Sequence, residues 1–153
     1  MSEEIFLTEA IIEDIKAIIS AGYEKDEALD RIVEKLKDEI PYYDWVGFYL
    51  IQDGKLKLGP YRGKPSPHEV IEISDGICGA AVRENSTIIV DDVNADPRYL
   101  ACSIETKSEI VVPITRGNRV VGEIDIDSHT PAAFTDNDKE LLEKIAGLVT
   151  QIL

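Results

Sequence analysis

The stretch that decides the fold reads Glu109-Ile-Val-Val-Pro-Ile-Thr115, Arg116-Gly117-Asn118, Arg119-Val-Val-Gly-Glu-Ile-Asp-Ile-Asp127. Two runs rich in β-branched residues flank a three-residue turn with Gly at its centre, the pattern of a β-hairpin. The second arm ends in strict alternation. Strand period two puts Glu123, Asp125 and Asp127 on one face and Gly122, Ile124 and Ile126 on the other. Glu109 opens the facing arm and joins the acidic side if the register allows. Asp is depleted in strands, so two of them in alternation need a reason. A solvated sheet face is one. A cationic ligand or a shared proton is another, because crowded carboxylates raise one another's pKa and let one act as an acid near neutrality.

Upstream, residues 42–51 are aromatic and β-branched, and Asp53-Gly54 turns the chain toward Leu56 and Leu58, a second hairpin. Trp45 and Tyr49 are four apart and share a side of that strand. They read either as core cover or as an aromatic wall around a small apolar group such as a methyl. Residues 59–68, rich in Gly and Pro, predict a loop. A short strand follows at 70–73. Asp75-Gly76-Ile77-Cys78-Gly79 then leads into a short helix at 80–84, a brief strand at 88–90 and a polar loop over 91–108.

The two ends are helical. Ile11, Ile12, Ile15, Ile18 and Ile19 form one stripe, with Thr8 as its N-cap and Gly22 as its stop. Leu29, Ile32, Val33, Leu36 and Ile40 form a second, ending at Pro41. A last helix opens at Thr135 or Asp136 and carries Leu141, Leu142, Ile145, Leu148, Val149 and Ile152. Sequential hairpins imply an antiparallel sheet, so the class is α+β, with the terminal helices on one face. Segments 59–108 then cover the other face, where loops held over a rigid sheet build sites.

Composition agrees. The 153 residues, 44% hydrophobic and 30% charged, fit one domain over residues 1–153. A chain of this length buries roughly 68–70% of its unfolded surface, so it needs no disulfide or metal to fold. No run reaches the roughly 18 apolar residues of a membrane span, and Met1-Ser-Glu-Glu is acidic where a signal peptide is basic, so a cytoplasmic chain is expected. Asn85-Ser86-Thr87 matches a glycosylation acceptor that such a chain would not use. The net charge of −14 divides into −7 over residues 1–40, −2 over 41–122 and −5 over 123–153. The excess belongs to the helical ends, where it keeps the surface solvated, and it argues against a nucleic-acid partner.

Two cysteines stand out. Cys102, in Tyr99-Leu-Ala-Cys-Ser103, lies in a loop, which favours a reactive thiol over a small core residue. Cys78 opens a helix, whose dipole would lower its pKa, and the glycines around it admit another chain segment closely. The two do not form a CxxC pair, and no familiar spacing assembles a metal site around them. His68 and His129 stand alone and are expected at the surface. Gly76-Ile-Cys-Gly79 lacks the spacing and the Lys-Ser/Thr ending of a phosphate loop.

Several segments taken together resemble a known family: Trp45-Val-Gly-Phe-Tyr49, Gly59-Pro-Tyr-Arg-Gly-Lys-Pro65, Gly76-Ile-Cys-Gly79, Asp91-Asp-Val-Asn94, Ala101-Cys102, Ser108-Glu-Ile-Val-Val-Pro113 and Gly122-Glu-Ile-Asp-Ile-Asp-Ser128. In this order they resemble the free methionine-(R)-sulfoxide reductases, single-domain GAF proteins, over residues 8–150. The resemblance implies reduction of the R-sulfoxide of free methionine. Cys102 matches the nucleophile, which becomes a sulfenic acid as methionine leaves. Glu109, Asp125 and Asp127 match carboxylates that hold the substrate ammonium, one of them protonating the sulfoxide oxygen. Trp45 and Tyr49 match aromatics that receive the sulfoxide end and its methyl. No cofactor is bound on this reading. Reducing equivalents come from thioredoxin, itself fed by NADPH through its reductase, and a homodimer is expected.

The segment Gly63-Lys-Pro-Ser-Pro-His-Glu69 departs from the family, many of whose members carry their usual resolving cysteine there. Cys78 is then the intramolecular partner for Cys102, with direct attack by an external thiol as the alternative. The competing reading of the whole chain is a non-catalytic GAF domain that binds a small molecule and signals.

Overall fold

The computed structural model describes residues 3–101 and 103–153. Two helices come first, α1 (Glu3–Ser20) and α2 (Lys25–Glu39), followed by strands β1 (Trp45–Gln52), β2 (Lys55–Arg62) and β3 (Val70–Glu72). Helix α3 (Gly76–Glu84) and strand β4 (Ile88–Val90) lead to the hairpin β5 (Ser108–Arg116) and β6 (Arg119–Ser128), and α4 (Asp136–Val149) closes the chain. The sheet order is β3-β2-β1-β6-β5-β4, antiparallel throughout. Pairing of β1 with β6 therefore joins two hairpins at the centre. The fold is α+β, as the alternating arms and terminal stripes imply.

Alternation along the central strands gives the sheet two buried faces. Val46, Phe48, Leu50, Ile124 and Ile126 point toward the helices, where they meet Ile11, Ile15, Leu29, Ile32, Leu36, Leu142 and Ile145. Each fully buried side chain of this kind contributes about 1.5–3 kcal/mol. The opposite face carries Trp45, Tyr49, Val111 and Ile71 under Ile77, Cys78 and Ala81 of α3. No helix among the described residues is long and apolar enough to cross a membrane.

Asp138 fastens the helical layer to the sheet. Thr135 caps α4 in a reciprocal capping box with Asp138. The same buried carboxylate accepts hydrogen bonds from Tyr42 (2.7 Å) and Tyr43 (2.6 Å) at the entrance to β1. Burial and this neighbour push the pKa of both phenols upward, so they stay donors.

Four local expectations are corrected. Thr8 is not an N-cap: α1 already spans Glu3, and the Thr8 hydroxyl donates back to the carbonyl of Glu4 at 2.9 Å. The first strand starts at Trp45, because Tyr42 and Tyr43 turn their rings to Asp138 and Phe134. Residues 59–62 are strand, not loop. Gly59 and Pro60 together oppose Phe48 in a β-bulge, and β3 covers β2 only as far as Lys57, so beyond it the missing N–H of Pro60 breaks no ladder bond to β3. Finally, α3 starts at Gly76 and takes in Cys78. Gly76 holds φ +70, where a Cβ would lie 2.9 Å from Leu100, and a Cβ at Gly79 would lie 2.5 Å from the carbonyl oxygen of Ile73. Close approach, rather than helix propensity, accounts for both glycines.

Candidate active site

The acidic arm is not a solvated face. Glu109, Glu123, Asp125 and Asp127 are all buried, on the sheet face beneath α3. The register arranges them in rows. Asp127 lies between Trp45 of β1 and Glu109 of β5, Asp125 between Gly47 and Val111, and Glu123 between Tyr49 and Pro113. The sequence alternation placed the three β6 carboxylates together correctly. That α3 would roof them was not legible in it.

Trp45 and Tyr49 share this face, their rings 6.4 Å apart, and Tyr61 stacks on the indole at 5.5 Å. The indole lies over Gly47, where a Cβ would stand 2.4 Å from its Cη2, and beside Gly63, where a Cβ would stand 2.7 Å from its Cδ1. Both aromatics also anchor the loop that follows β2. Trp45 Nε1 donates to the carbonyl of Lys64 (3.0 Å), and the Tyr49 hydroxyl donates to that of His68 (2.8 Å).

Cys78 descends from α3 onto the carboxylates. Its Sγ and one oxygen each from Glu109 and Asp125 lie within 4.8 Å of one another. The expectation of a dipole-lowered thiol is overturned. Burial pushes the Cys78 pKa well up, and Asp125, Glu123 and Glu109 push it further. The helix dipole loses because the sulfur is buried and faces three carboxylates. Burial likewise raises Glu123, Asp125 and Asp127, and the charge of Asp125 adds to the rise at Glu123 and Asp127. A thiol and two carboxylates could approach a thiophilic cation. Here the sulfur is held as a thiol rather than the thiolate that binds metals.

Two cavities flank these groups. One of about 10 Å³, room for a single water, is bounded by Tyr49, His68, Cys78, Leu100, Glu109 and Asp125. The other, about 50 Å³, is bounded by Trp45, Ser66, Ser103, Thr106, Asp127 and His129. Cys102 lies outside the described residues. Its neighbour Ala101 accepts a hydrogen bond from His68 Nε2 at 3.1 Å, and Ser103 faces the larger cavity. His129 is exposed as expected and stands 3.6 Å from Glu105. His68 is half-buried and joins the site, which its isolation in the sequence did not signal.

The GAF domain family matches residues 24–153. The free methionine-R-sulfoxide reductase of Saccharomyces cerevisiae is 44% identical over 112 residues, 71% of this chain and 62% of its own length. That of Escherichia coli is 35% identical over 122 residues, covering 80% of this chain and 71% of its own. The chain belongs to the free methionine-R-sulfoxide reductase family. A solved member of that family, the Neisseria meningitidis reductase in complex with its substrate, superposes with a TM-score of 0.93 at 30% identity, over 99% of this chain and 91% of its own. The alignment with the yeast reductase leaves more than a third of that relative unmatched, whereas the Neisseria reductase is matched nearly end to end.

Proposed function

We propose that this chain reduces the R-sulfoxide of free methionine to methionine, with Cys102 as nucleophile. One observation carries the reading. A row of buried carboxyls, among which burial pushes the pKa of Glu123 and Asp127 upward, borders an aromatic wall on the same sheet face. An amino acid with a free ammonium and a methyl-capped sulfoxide needs both surfaces, and kinship with named reductases supports the assignment.

Glu109 and Asp125 receive the ammonium group. Its positive charge offsets the cost of burying these carboxylates, and a substrate lacking the charge leaves that cost unmet. This is the basis for choosing the free amino acid over a peptide. Trp45 and Tyr49 take the sulfur end and its methyl. The Cys102 thiolate attacks the sulfoxide sulfur while a neutral carboxyl protonates the oxygen. Asp127 suits that role, since burial raises its pKa and it borders the cavity shared by Trp45 and Ser103. Methionine leaves and the oxygen stays on Cys102 as a sulfenic acid. Cys78 then attacks, giving a disulfide and water, and a thioredoxin-like dithiol restores both thiols. Because Cys78 is held as a neutral thiol, it does not compete with Cys102 for the sulfoxide.

The same reading places the chain in a reducing cytoplasm, as a homodimer for which the exposed Phe6 and Leu7 of α1 offer apolar surface. The test is NADPH consumption with thioredoxin and its reductase, supplying free methionine-R-sulfoxide, the S-epimer or a sulfoxide peptide. Turnover of the free R-epimer alone, abolished by Cys102→Ser, is expected. Silence with both thioredoxin and dithiothreitol would favour a non-catalytic binding domain.

A further inference from the structure

A free amino acid carries two charged groups, and the site as described answers one of them. Glu109 and Asp125 take the ammonium, and the α-carboxylate has no partner so far. The ammonium alone does not define a free amino acid. A peptide that begins with methionine sulfoxide presents the same ammonium and differs in lacking the adjacent carboxylate. A site that reads only the ammonium accepts both.

The two charged groups hang from one carbon, so the carboxylate must enter the space that Glu109 and Asp125 bound. Asp125 marks that space as a ligand site. It is 3% exposed, borders the smaller cavity, and has a buried Oδ1 with no hydrogen-bond partner among the described residues. No Lys or Arg among the described residues borders this cavity. Apart from the two acids, its polar side chains are the Cys78 thiol, the Tyr49 hydroxyl and the His68 imidazole. The hydroxyl is committed to the carbonyl of His68 at 2.8 Å. The imidazole is the group of the three that carries positive charge when protonated.

Local contacts hold His68 in place. Its backbone N–H donates to Ser66 Oγ at 3.1 Å, and its carbonyl accepts from Tyr49. Ring Nε2 lies 3.1 Å from the carbonyl oxygen of Ala101. A carbonyl only accepts, so Nε2 bears a proton, and Nδ1 has no partner among the described residues.

We propose that His68 binds the α-carboxylate of the substrate, as an imidazolium that donates Nε2–H to Ala101 and Nδ1–H to the substrate. The proposal deepens the reductase reading and rests on its placement of the ammonium at Glu109 and Asp125. The incoming carboxylate supplies the negative charge that keeps the second proton on the ring. Helix α3 adds to this. Gly76 and Ile77 open it beside the same cavity, and Asp75 gives no side-chain cap, so the amides of the first turn favour an anion there. The zwitterionic head thus finds a partner for each charge, while the sulfur end extends to Trp45 and Asp127 at the larger cavity. Where many family members carry a resolving cysteine, this chain carries a group that selects the substrate.

The experiment compares free methionine-R-sulfoxide with methioninamide-R-sulfoxide, which keeps the ammonium and lacks the carboxylate, in the wild type, His68→Gln and His68→Asn. Binding of methionine and of methioninamide is followed in parallel by Trp45 fluorescence. The wild type should prefer the free acid in kcat/KM by roughly tenfold or more, and His68→Gln should lose most of that preference. The Gln amide replaces the Nε2 donor to Ala101 and leaves nothing at Nδ1. His68→Asn, with a donor near the Nδ1 position, should keep part of the preference. No preference in the wild type, or an equal loss on both substrates in His68→Gln, overturns the proposal, the second result assigning His68 to loop packing alone. If the wild type turns over neither sulfoxide but binds methionine above methioninamide through His68, the reductase reading fails and the carboxylate site stands.

Discussion

Gly47 stands directly across the β1–β6 ladder from Asp125, and the space its missing side chain leaves is filled by the indole of Trp45. One residue without a Cβ thus lets an aromatic lie flat beside a buried carboxylate. Gly47→Ala would place a methyl 2.4 Å from the indole and force the ring aside. Overpacking of this kind costs about 1–3 kcal/mol. We expect kcat/KM to fall by roughly tenfold or more, one such displacement being worth about 1.4 kcal/mol per decade. Trp45 is the sole tryptophan, so a shift in its fluorescence reports the displacement. Unchanged emission with unchanged kinetics would contradict the packing account.

Two of the carboxylates should separate in kinetics. Asp127→Asn removes the proposed proton donor and should lower kcat by roughly 10²-fold or more, with KM little changed. Asp125→Asn removes an ammonium partner and should act mainly by raising KM. Steady-state kinetics on the free R-sulfoxide checks both, and a reversed pattern would exchange the two roles.

Stability should depend on pH in an unusual direction. Burial holds Glu123, Asp125 and Asp127 above the ordinary carboxylate range. Such groups bind more protons folded than unfolded, so their contribution is fullest below about pH 4 and is lost as pH rises through their folded pKa values. Asp30 and Asp96, held down by Arg62 and Arg98, work the opposite way, and only as pH falls below about 4. Thermal midpoints should therefore decline from pH 5 to pH 8. Glu123→Gln should raise the midpoint more at pH 8 than at pH 5. An equal shift at both would show that Glu123 does not change its protonation between the two pH values in the folded protein.

The cavities, about 10 and 50 Å³, are narrow and are bounded by loop residues such as His68, Leu100 and Ser103. We expect substrate entry to open the segment at 63–69 and the described residues 99–101 and 103–107. They are tied by Trp45 to Lys64, Tyr49 to His68, His68 to Ala101 and an exposed ion pair of Lys64 with Glu105 at 2.5 Å. Amide hydrogen exchange in both segments should slow when free methionine is added. Exchange unaffected by methionine would mean that the site is entered elsewhere.

Much of this was legible in the residues because it is periodic. The alternation of β6 put Ile124 and Ile126 on the helix side and the acids opposite, and the isoleucine stripe of α1 and the β5–β6 turn were equally direct. What was not legible depends on contacts distant in sequence. Pro60 looks like a loop residue until β3 is seen to stop short of it, and Thr8 looks like a cap until the helix is seen to begin earlier. The Cys78 thiol was misjudged because its own helix suggests a lowered pKa, whereas the carboxylates that raise it come from β5 and β6. Glu123 shared the pattern of Asp125 and Asp127, and the alternation gave no sign that all three would be buried with carboxylate oxygens lacking a partner.

The most direct test of the central claim is a reductant-free reaction of the fully reduced protein with excess free methionine-R-sulfoxide, counting methionine formed and thiols remaining per chain. The account predicts one methionine per chain, with both Cys78 and Cys102 lost to thiol titration, and no methionine from Cys102→Ser. No methionine from the wild type, or an equal yield from Cys102→Ser, would contradict it.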